Sequence, residues 1–396
     1  MNLKSICAIP ISLVSSPAGF IYSVFYSDVK IVAFCSSLMI ALVAFTMHPY
    51  QTMDLARYYD SYFILDNINA DNIQNYYSVN LAVYYLIKYF SFLGLKKEFI
   101  PFFFTFISYI VTFLSYNICV EKKNLNNKEK LTLVFLVFCT ALFFGAASGL
   151  RNGLSSSLAL LAIASSFSGK NKIIVSFLFL FSILIHPFAI LIYLTYLLAS
   201  FLKNEKIYNI IITFALSLSL VNSSGIVANI VELLLPSTMS KYIVSEFINN
   251  DIVGFDSEKT FVNVVVFYLS QFLMLLSSLL ILVKIKNDSI LTRCASLLLS
   301  LSLLFFNFPI FFERYSNVLF MVVGIIAYRD FIYKERLHES LYYRRLITVF
   351  FIALSLNSFF QFYRFRYIFF DGLNEFLNPT FFVFLSEVDF NNLRLF

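Results

Sequence analysis

The chain has 396 residues, 60% of them apolar and 13% charged, with a mean hydropathy of +0.80. A soluble domain carries about 25% charged residues, so a soluble core is excluded, whereas a bilayer needs about 20 mainly apolar residues for each spanning helix. The net charge of +6 comes from basic residues that stand singly between apolar segments, which excludes a nucleic-acid-binding surface.

The apolar segments predict an all-α, polytopic transmembrane helical bundle of about 12 spans, within a range of 11 to 14. The predicted spans are 5–26, 29–47, 99–119, 131–149, 152–168, 172–186, 188–202, 207–222, 261–284, 290–309, 316–331 and 346–363. No soluble domain interrupts them, so residues 1–396 are expected to form a single integral membrane domain. Residues 79–95 contain Lys88 and several tyrosines, which favours an amphipathic helix in the membrane interface.

The distribution of basic residues predicts the orientation. Most lysines lie in five short polar connections, which the positive-inside rule assigns to the cytoplasm: 121–130, 169–172, 203–206, 284–288 and 329–345. Three larger segments, 47–98, 221–260 and 364–396, then face outward. This orientation leaves Lys4, Lys96 and Lys97 outside, contrary to the positive-inside rule. An alternative with segment 5–26 re-entrant and the N-terminus inside stays open.

Arginine is distributed differently from lysine. This topology places 12 Lys and 5 Arg inside but 6 Lys and 6 Arg outside. Four outer arginines stand at the ends of spans: Arg151, Arg314, Arg364 and Arg366. Because the guanidinium group meets phosphate oxygens with two parallel hydrogen bonds, their placement predicts binding of an anion.

The first candidate motif is a glycine-rich turn, FFGAASGLRNG, followed by the polar run Ser155–Ser157. Gly145, Gly149 and Gly153 bracket Arg151 and permit a tight reversal. The free N–H groups of the next helix would attract an anion beside the arginine. The alternative is a hairpin turn whose arginine only reaches the lipid headgroups.

The second candidate motif is ILIHPFAIL, in which His186 stands in a long apolar stretch. Pro187 predicts a break in the helix, with His186 at the corner between two short spans. An ionisable residue there is a candidate general base or phosphate partner. The alternative is a histidine that only hydrogen-bonds a neighbouring helix.

Two further motifs join a carboxylate to an arginine and a tyrosine. FFERYSN places Glu313, Arg314 and Tyr315 between two predicted spans, where Arg314 is a candidate phosphate or sugar contact. HPYQTMDLARYYDSY in the first outer segment provides a carboxylate and a tyrosine, Asp54 and Tyr58, which are groups that hold sugar hydroxyls. The alternative for the first motif is that Glu313 and Arg314 only neutralise each other or other partners. The alternative for the second motif is that its residues are only solvated.

The last motif, QFYRFRY, carries Arg364 and Arg366 beyond the final span. They are two residues apart, so they share a face in an extended segment but not in a helix. The sequence has no Walker motif, GxGxxG, DxD or HExxH, and its five cysteines are isolated. We therefore expect a pre-activated, lipid-linked donor, no metal and no cofactor, with arginines stabilising the developing charge.

The order of these motifs resembles the EpsG/Wzy family of O-antigen and exopolysaccharide polymerases. The resemblance covers about residues 29–385 and rests on D..RYY, LRNGLSSSLALLA, ILIHPFAIL, FERY and NPTFF. It implies a GT-C-like glycosyltransferase bundle in the bacterial inner membrane, with its active site facing the periplasm. The implied partners are undecaprenyl-diphosphate-linked repeat units as donor and acceptor, membrane lipid and a chain-length regulator protein.

The resemblance matches four residues to family positions: Arg151, His186, Arg314 and Asp54. Together with the other motif residues they give a hypothesis for the site. Arg151 and Arg314, with Arg364 or Arg366, would bind the donor diphosphate, and His186 or Asp54 would take the proton of the acceptor hydroxyl. The predicted sugar contacts are Arg57, Tyr58, Glu313, Tyr315 and Asn152, and segment 222–260 would help to shape the sugar site. Asn152 departs from related members, which often have glutamine there. An O-antigen ligase, a lipid-linked oligosaccharide flippase and a secondary transporter are the alternatives.

Overall fold

The computed structural model describes residues 3–49, 53–64, 81–120, 122, 124–219, 261–285, 289–333 and 341–364. Every regular element in these ranges is an α-helix, as the sequence predicts. In chain order they are α1 (Leu3–Ile6), α2 (Ala8–Val14), α3 (Ser16–Tyr26), α4 (Val29–Phe45), α5 (Asp54–Ile64), α6 (Leu81–Phe92), α7 (Phe99–Ile118), α8 (Asn127–Thr140), α9 (Phe143–Ala147), α10 (Leu150–Phe167), α11 (Lys172–Ile185), α12 (Ala189–Phe201), α13 (Glu205–Ser219), α14 (Phe261–Lys284), α15 (Ile290–Leu304), α16 (Pro309–Tyr333) and α17 (Leu341–Arg364).

Three of the described helices are long and apolar enough to cross a membrane. They are α7, α16 from Ile310 and α17 up to Phe362. The shorter apolar helices cover Val29–Phe45, Lys172–Ile185, Ala189–Phe201, Leu269–Lys284 and Ile290–Leu304. The predicted count of about 12 spans and the GT-C-like arrangement stay predictions.

The chain forms two compact units. The first contains Met1–Ala189 and Gln361–Phe396, and the second contains Ile190–Phe360. In the first unit α4 and α10 both pack against α7, and α11 packs against α10. In the second unit α15 packs against α13 and α16. The single membrane domain expected from the sequence stays a prediction.

The N-terminal segment predicted as one span over 5–26 is divided into three short helices. Ser15 has an extended backbone between α2 and α3, and Pro17 lies in the first turn of α3. The two helices pack so closely that a Cβ atom on Gly19 would lie 2.4 Å from the Cα of Ser12. The N-terminal segment therefore doubles back on itself, while the side of the membrane on which Lys4 lies stays a prediction.

A second predicted span, 131–149, is divided as well. Helix α8 ends at Thr140 and α9 begins at Phe143. Between them Leu142 has φ +35°, a backbone conformation that is uncommon for residues other than glycine. Hydropathy does not detect such a break because the residues around it are all apolar.

Helix α6 has the features predicted for the interfacial segment 79–95. Its 12 residues are about 18 Å long, well short of the roughly 30 Å hydrocarbon core. Val83, Ile87 and Phe90 are buried, whereas Tyr85 and Lys88 are exposed. This division into two faces is typical of an amphipathic helix.

Buried Lys130 joins two connections that the sequence assigns to the same side. Its Nζ donates to the backbone carbonyls of Val24, at 3.0 Å, and Ser27, at 2.7 Å. The junction between α3 and α4 therefore lies at the same end of the first unit as connection 121–130. Cations stabilise the carboxyl ends of helices, as Lys130 does for α3.

Candidate functional site

Helices α10 and α11 are held together by a reciprocal pair of hydrogen bonds between two buried serines. Ser155 Oγ donates to the carbonyl of Ser182 at 2.9 Å, and Ser182 Oγ donates to the carbonyl of Ser155 at 2.7 Å. The connection between the two helices has only four residues, 168–171, so they are antiparallel neighbours. The serine pair therefore fixes the register of this hairpin.

The register brings Arg151 and His186 to one end of the hairpin. Arg151 precedes Ser155 by four residues, and His186 follows Ser182 by four residues. Four residues are about one helical turn, so Arg151 lies about one turn before Ser155, and His186 directly follows the last turn of α11, which contains Ser182. Two residues predicted independently from the sequence thus lie at the same end of the hairpin.

The glycine-rich turn positions Arg151 through a close backbone contact. A Cβ atom on Gly153 would lie 2.5 Å from the Cα of Ala146 and 2.6 Å from the carbonyl oxygen of Gly145, so the first turn of α10 lies directly on α9. The Oδ1 atom of Asn152 is buried here without a hydrogen-bond partner. An amide oxygen in that state is available to accept from a ligand hydroxyl.

Helix α5 supplies an aromatic side chain to Arg151. The guanidinium carbon of Arg151 lies 6.0 Å from the ring centroid of buried Tyr58, within range of a cation–π interaction. Tyr58 therefore holds the guanidinium group toward α5, so two of the predicted site residues are in contact.

On the exposed side of α5, Asp54 and Arg57 form an ion pair at 3.5 Å. Their side chains are 50% and 76% exposed, respectively, so the pair contributes about 1 kcal/mol or less to stability. Asp54 is the first residue of the helix. Negative charge is favoured at a helix N-terminus, so Asp54 stabilises the start of α5.

His186 is the corner residue that the sequence predicts. Helix α11 ends at Ile185, His186 has an extended backbone with φ −151°, and α12 begins at Ala189. The Nδ1 atom of His186 accepts a hydrogen bond from the N–H of Phe188 at 3.3 Å. A neutral imidazole that accepts at Nδ1 carries its proton on Nε2, so Nε2 is a hydrogen-bond donor.

The sequence predicts that the FFERYSN motif lies between two helices, but in the second unit the motif lies within one helix. Residues Glu313, Arg314 and Tyr315 lie in the first two turns of α16, which begins at Pro309. Glu313 is exposed and Arg314 half-buried. The Tyr315 ring is 1% exposed and stacks on Phe305 at 5.3 Å, so it packs in the protein interior. Their predicted ligand contacts stay predictions.

The remaining predicted residues lie at or beyond the described ranges. Arg364 is the last residue of α17, while Arg366 and the outer segment 221–260 lie outside the described residues. Sequence reasoning missed Ser182, one of two serines in an apolar helix. The available signal was its position four residues before His186.

A chain whose described elements are all α-helices, three of them apolar and long enough to cross a membrane, belongs to the class of helical membrane proteins. Its sequence matches the family model of the EpsG family over residues 29–376. The chain therefore belongs to the EpsG family, as its motifs indicate. Comparison with curated proteins and with solved structures gave no match.

Replacing Gly153 with alanine should destabilise the protein. Alanine normally improves a helix by about 1 kcal/mol over glycine, but here its Cβ would overlap the backbone of α9, and overpacking costs about 1–3 kcal/mol. The midpoint of thermal unfolding of the purified protein, followed by size-exclusion chromatography after heating, should therefore fall.

Gly145→Ala is the matched control, because a Cβ there meets only the Cβ of Leu142 at 3.8 Å. Its midpoint should equal or exceed that of the natural protein. Equal midpoints for the Gly153 and Gly145 variants would contradict the close contact between α9 and α10.

Proposed function

We propose that the chain polymerises lipid-linked oligosaccharide repeat units on the periplasmic face of a bacterial inner membrane. Membership in the EpsG family supports a Wzy-like polysaccharide polymerase in general terms, and lipid-linked repeat units as its substrates at a coarse level. The donor would be a growing glycan on undecaprenyl diphosphate, and the acceptor a single lipid-linked repeat unit.

The observation that carries the proposal is the placement of Arg151 and His186 at one end of the α10–α11 hairpin. A glycosyl donor on a lipid diphosphate leaves a diphosphate group when the sugar is transferred. Arg151 offers a fork of donors, His186 offers its Nε2–H, and the first turn of α10 adds backbone N–H groups. Together they would stabilise the leaving diphosphate without requiring a metal from the protein.

In the proposed reaction the acceptor hydroxyl oxygen bonds to the anomeric carbon of the donor sugar. The bond from that carbon to the diphosphate oxygen breaks, and its electron pair leaves with the diphosphate. The proton of the acceptor hydroxyl passes to a carboxylate, for which Asp54 is the proposed base. His186 is suited to the leaving group instead, because its neutral ring presents a donor at Nε2.

Tyr58, which the sequence predicts as a sugar contact, is proposed to have a different role, whereas the other residues keep their predicted roles. Tyr58 orients Arg151 through its ring, and the Oδ1 atom of Asn152 would accept from a sugar hydroxyl. Further diphosphate contacts are proposed for Arg314, Arg364 and Arg366.

Deletion of the gene should leave surface glycan that is capped with a single repeat unit, and Arg151→Gln should reproduce that loss. A glutamine cannot supply the charged fork, and removal of one donor to a developing anion costs about 10²–10³-fold in rate. The length of the glycan ladder on a gel measures the outcome in complemented deletion strains at matched membrane levels of protein.

Arg345→Gln is the control for this comparison, because Arg345 is an exposed arginine at the predicted inner end of α17. It should restore a full ladder. A deletion strain that lacks surface glycan altogether and accumulates lipid-linked units would favour a flippase or a ligase. A full ladder from Arg151→Gln would remove Arg151 from the site.

His186→Gln should retain polymerisation within about tenfold of the natural rate, whereas His186→Ala should lose about 10²-fold or more. A glutamine amide reaches about as far as imidazole Nε2 and donates a hydrogen bond there, but it is not a base. Initial rates of the purified protein in nanodiscs, supplied with a lipid-linked repeat unit, measure the difference.

His186→Asn tests the Nε2–H donor separately from the turn contact at Phe188. The asparagine oxygen can accept from the N–H of Phe188, but no group occupies the Nε2 position. It should be as inactive as the alanine variant. Equal, complete loss in the glutamine and alanine variants would instead identify His186 as the base.

A further inference from the structure

Two neighbouring tyrosines of α5 face two different cations. Tyr58 meets Arg151 at 6.0 Å, while the ring centroid of Tyr59 lies 4.9 Å from the Nζ atom of Lys97. Consecutive helical residues point about 100° apart, so the two cations lie on different sides of α5. The first cation belongs to the site described above, and the second belongs to segment 93–98, which precedes α7.

Segment 93–98 is attached to α5 by contacts on the Tyr59 side. Tyr62 stands three residues after Tyr59, on the same face of the helix, and its hydroxyl donates to the backbone carbonyl of Leu95. Two contacts therefore attach the segment to the helix, Lys97 over the Tyr59 ring and the hydrogen bond from Tyr62 to Leu95.

Lys96 and Lys97 occupy a position that two physical effects disfavour. They fall on the predicted outer side, where the positive-inside rule selects against lysine. They also immediately precede the N-terminus of α7, whose backbone dipole repels cations. With Glu98, residues 96–98 carry a net charge of +1. A bound anion would remove both penalties.

The hydroxyl group of Tyr59 is a second, independent sign of a ligand. Tyr59 is 6% exposed, and its buried Oη has no hydrogen-bond partner. A buried hydroxyl without a partner destabilises the folded protein, whereas a ligand oxygen that accepts from it removes that penalty. Burial, together with the nearby Glu98 carboxylate, raises the pKa of Tyr59 well above its ordinary value, so its hydroxyl stays a donor. An anion oxygen beside Lys97 would accept from it.

We infer that Lys96, Lys97 and Tyr59 form a second diphosphate site, which binds the acceptor lipid while Arg151 and His186 bind the donor lipid. The inference rests on the proposed function, in which two lipid diphosphates meet at one enzyme. Helix α5 separates the two anion sites and carries Asp54, the proposed base, at its N-terminus. Each lipid diphosphate is thereby held on its own side of the residue that takes the proton.

The test counts the molecules of undecaprenyl diphosphate bound per chain by native mass spectrometry of the purified full-length protein. The natural protein should bind two. Lys96→Gln/Lys97→Gln and Arg151→Gln should each bind one, and the combination should bind none. Lys88→Gln, which removes an exposed lysine of α6 on the same predicted side, should still bind two.

Tyr59→Phe keeps the ring under Lys97 and removes only the hydroxyl, so it guards against a folding defect in the lysine variant. It should weaken the second binding step about tenfold, the loss expected for one hydrogen bond to a charged group. Inorganic pyrophosphate should displace both lipids, which would identify the diphosphate as the recognised group.

Three results would overturn the inference: one bound lipid in the natural protein, two in the lysine variant, or equal replacement of the second molecule by phosphatidylglycerol. None of these touches the proposed function, which the glycan ladder of the deletion strain decides separately. If the deletion strain shows a single repeat unit and the purified natural protein binds only one lipid, the protein is a polymerase without this second site.

Discussion

The reciprocal hydrogen bonds between Ser155 and Ser182 are the constraint on which the candidate site depends. Each bond is worth only about 0.6–2 kcal/mol between helices in a membrane. Their effect on geometry is larger, because sliding one helix by a single residue would break both at once. The small serine side chains also let the two backbones approach closely. Arg151 and His186 each lie four residues from this fixed point, so their place at the same end of the hairpin follows from it.

The electrostatics follow from the same arrangement. In the first unit α5 contacts two cations, Arg151 in the first turn of α10 through Tyr58 and Lys97 of segment 93–98 through Tyr59. A diphosphate is costly to bury among apolar side chains unless cations and donors are already in place. In the proposed sites, an arginine and a lysine held by tyrosine rings would supply such a preorganised surface.

Much of the helical framework could be predicted from apolar patterning and from one proline. The limits of α7, α11, α12 and α14 lie within a few residues of the predicted spans, and the break at Pro187 is present. Hydropathy could not predict the break at Leu142, because it is blind to backbone dihedral angles within an apolar run. The break at Ser15 had a signal in the sequence, Ser-Ser-Pro over residues 15–17, but hydropathy does not use it. It also placed Arg314 between helices, whereas α16 begins five residues earlier.

In the candidate site, the residue types could be identified from the sequence, whereas the contacts between them could not. Arginine, histidine, tyrosine and aspartate were identified by their chemistry and by the order of motifs along the chain. Their association depends on Ser182, which looks like any other serine of an apolar helix. The role of His186 depends on which ring nitrogen accepts from the N–H of Phe188, and residue type alone does not determine that.

The most direct test of the account is a double-mutant cycle between Arg151 and His186, measured as polymerisation rate in nanodiscs with Arg151→Gln, His186→Ala and their combination. If both side chains stabilise one leaving diphosphate, the effects should be strongly non-additive, and the double variant should be little slower than the slower single variant. Losses that multiply in full would show that the two residues act independently, and would contradict a shared diphosphate site at the end of the α10–α11 hairpin.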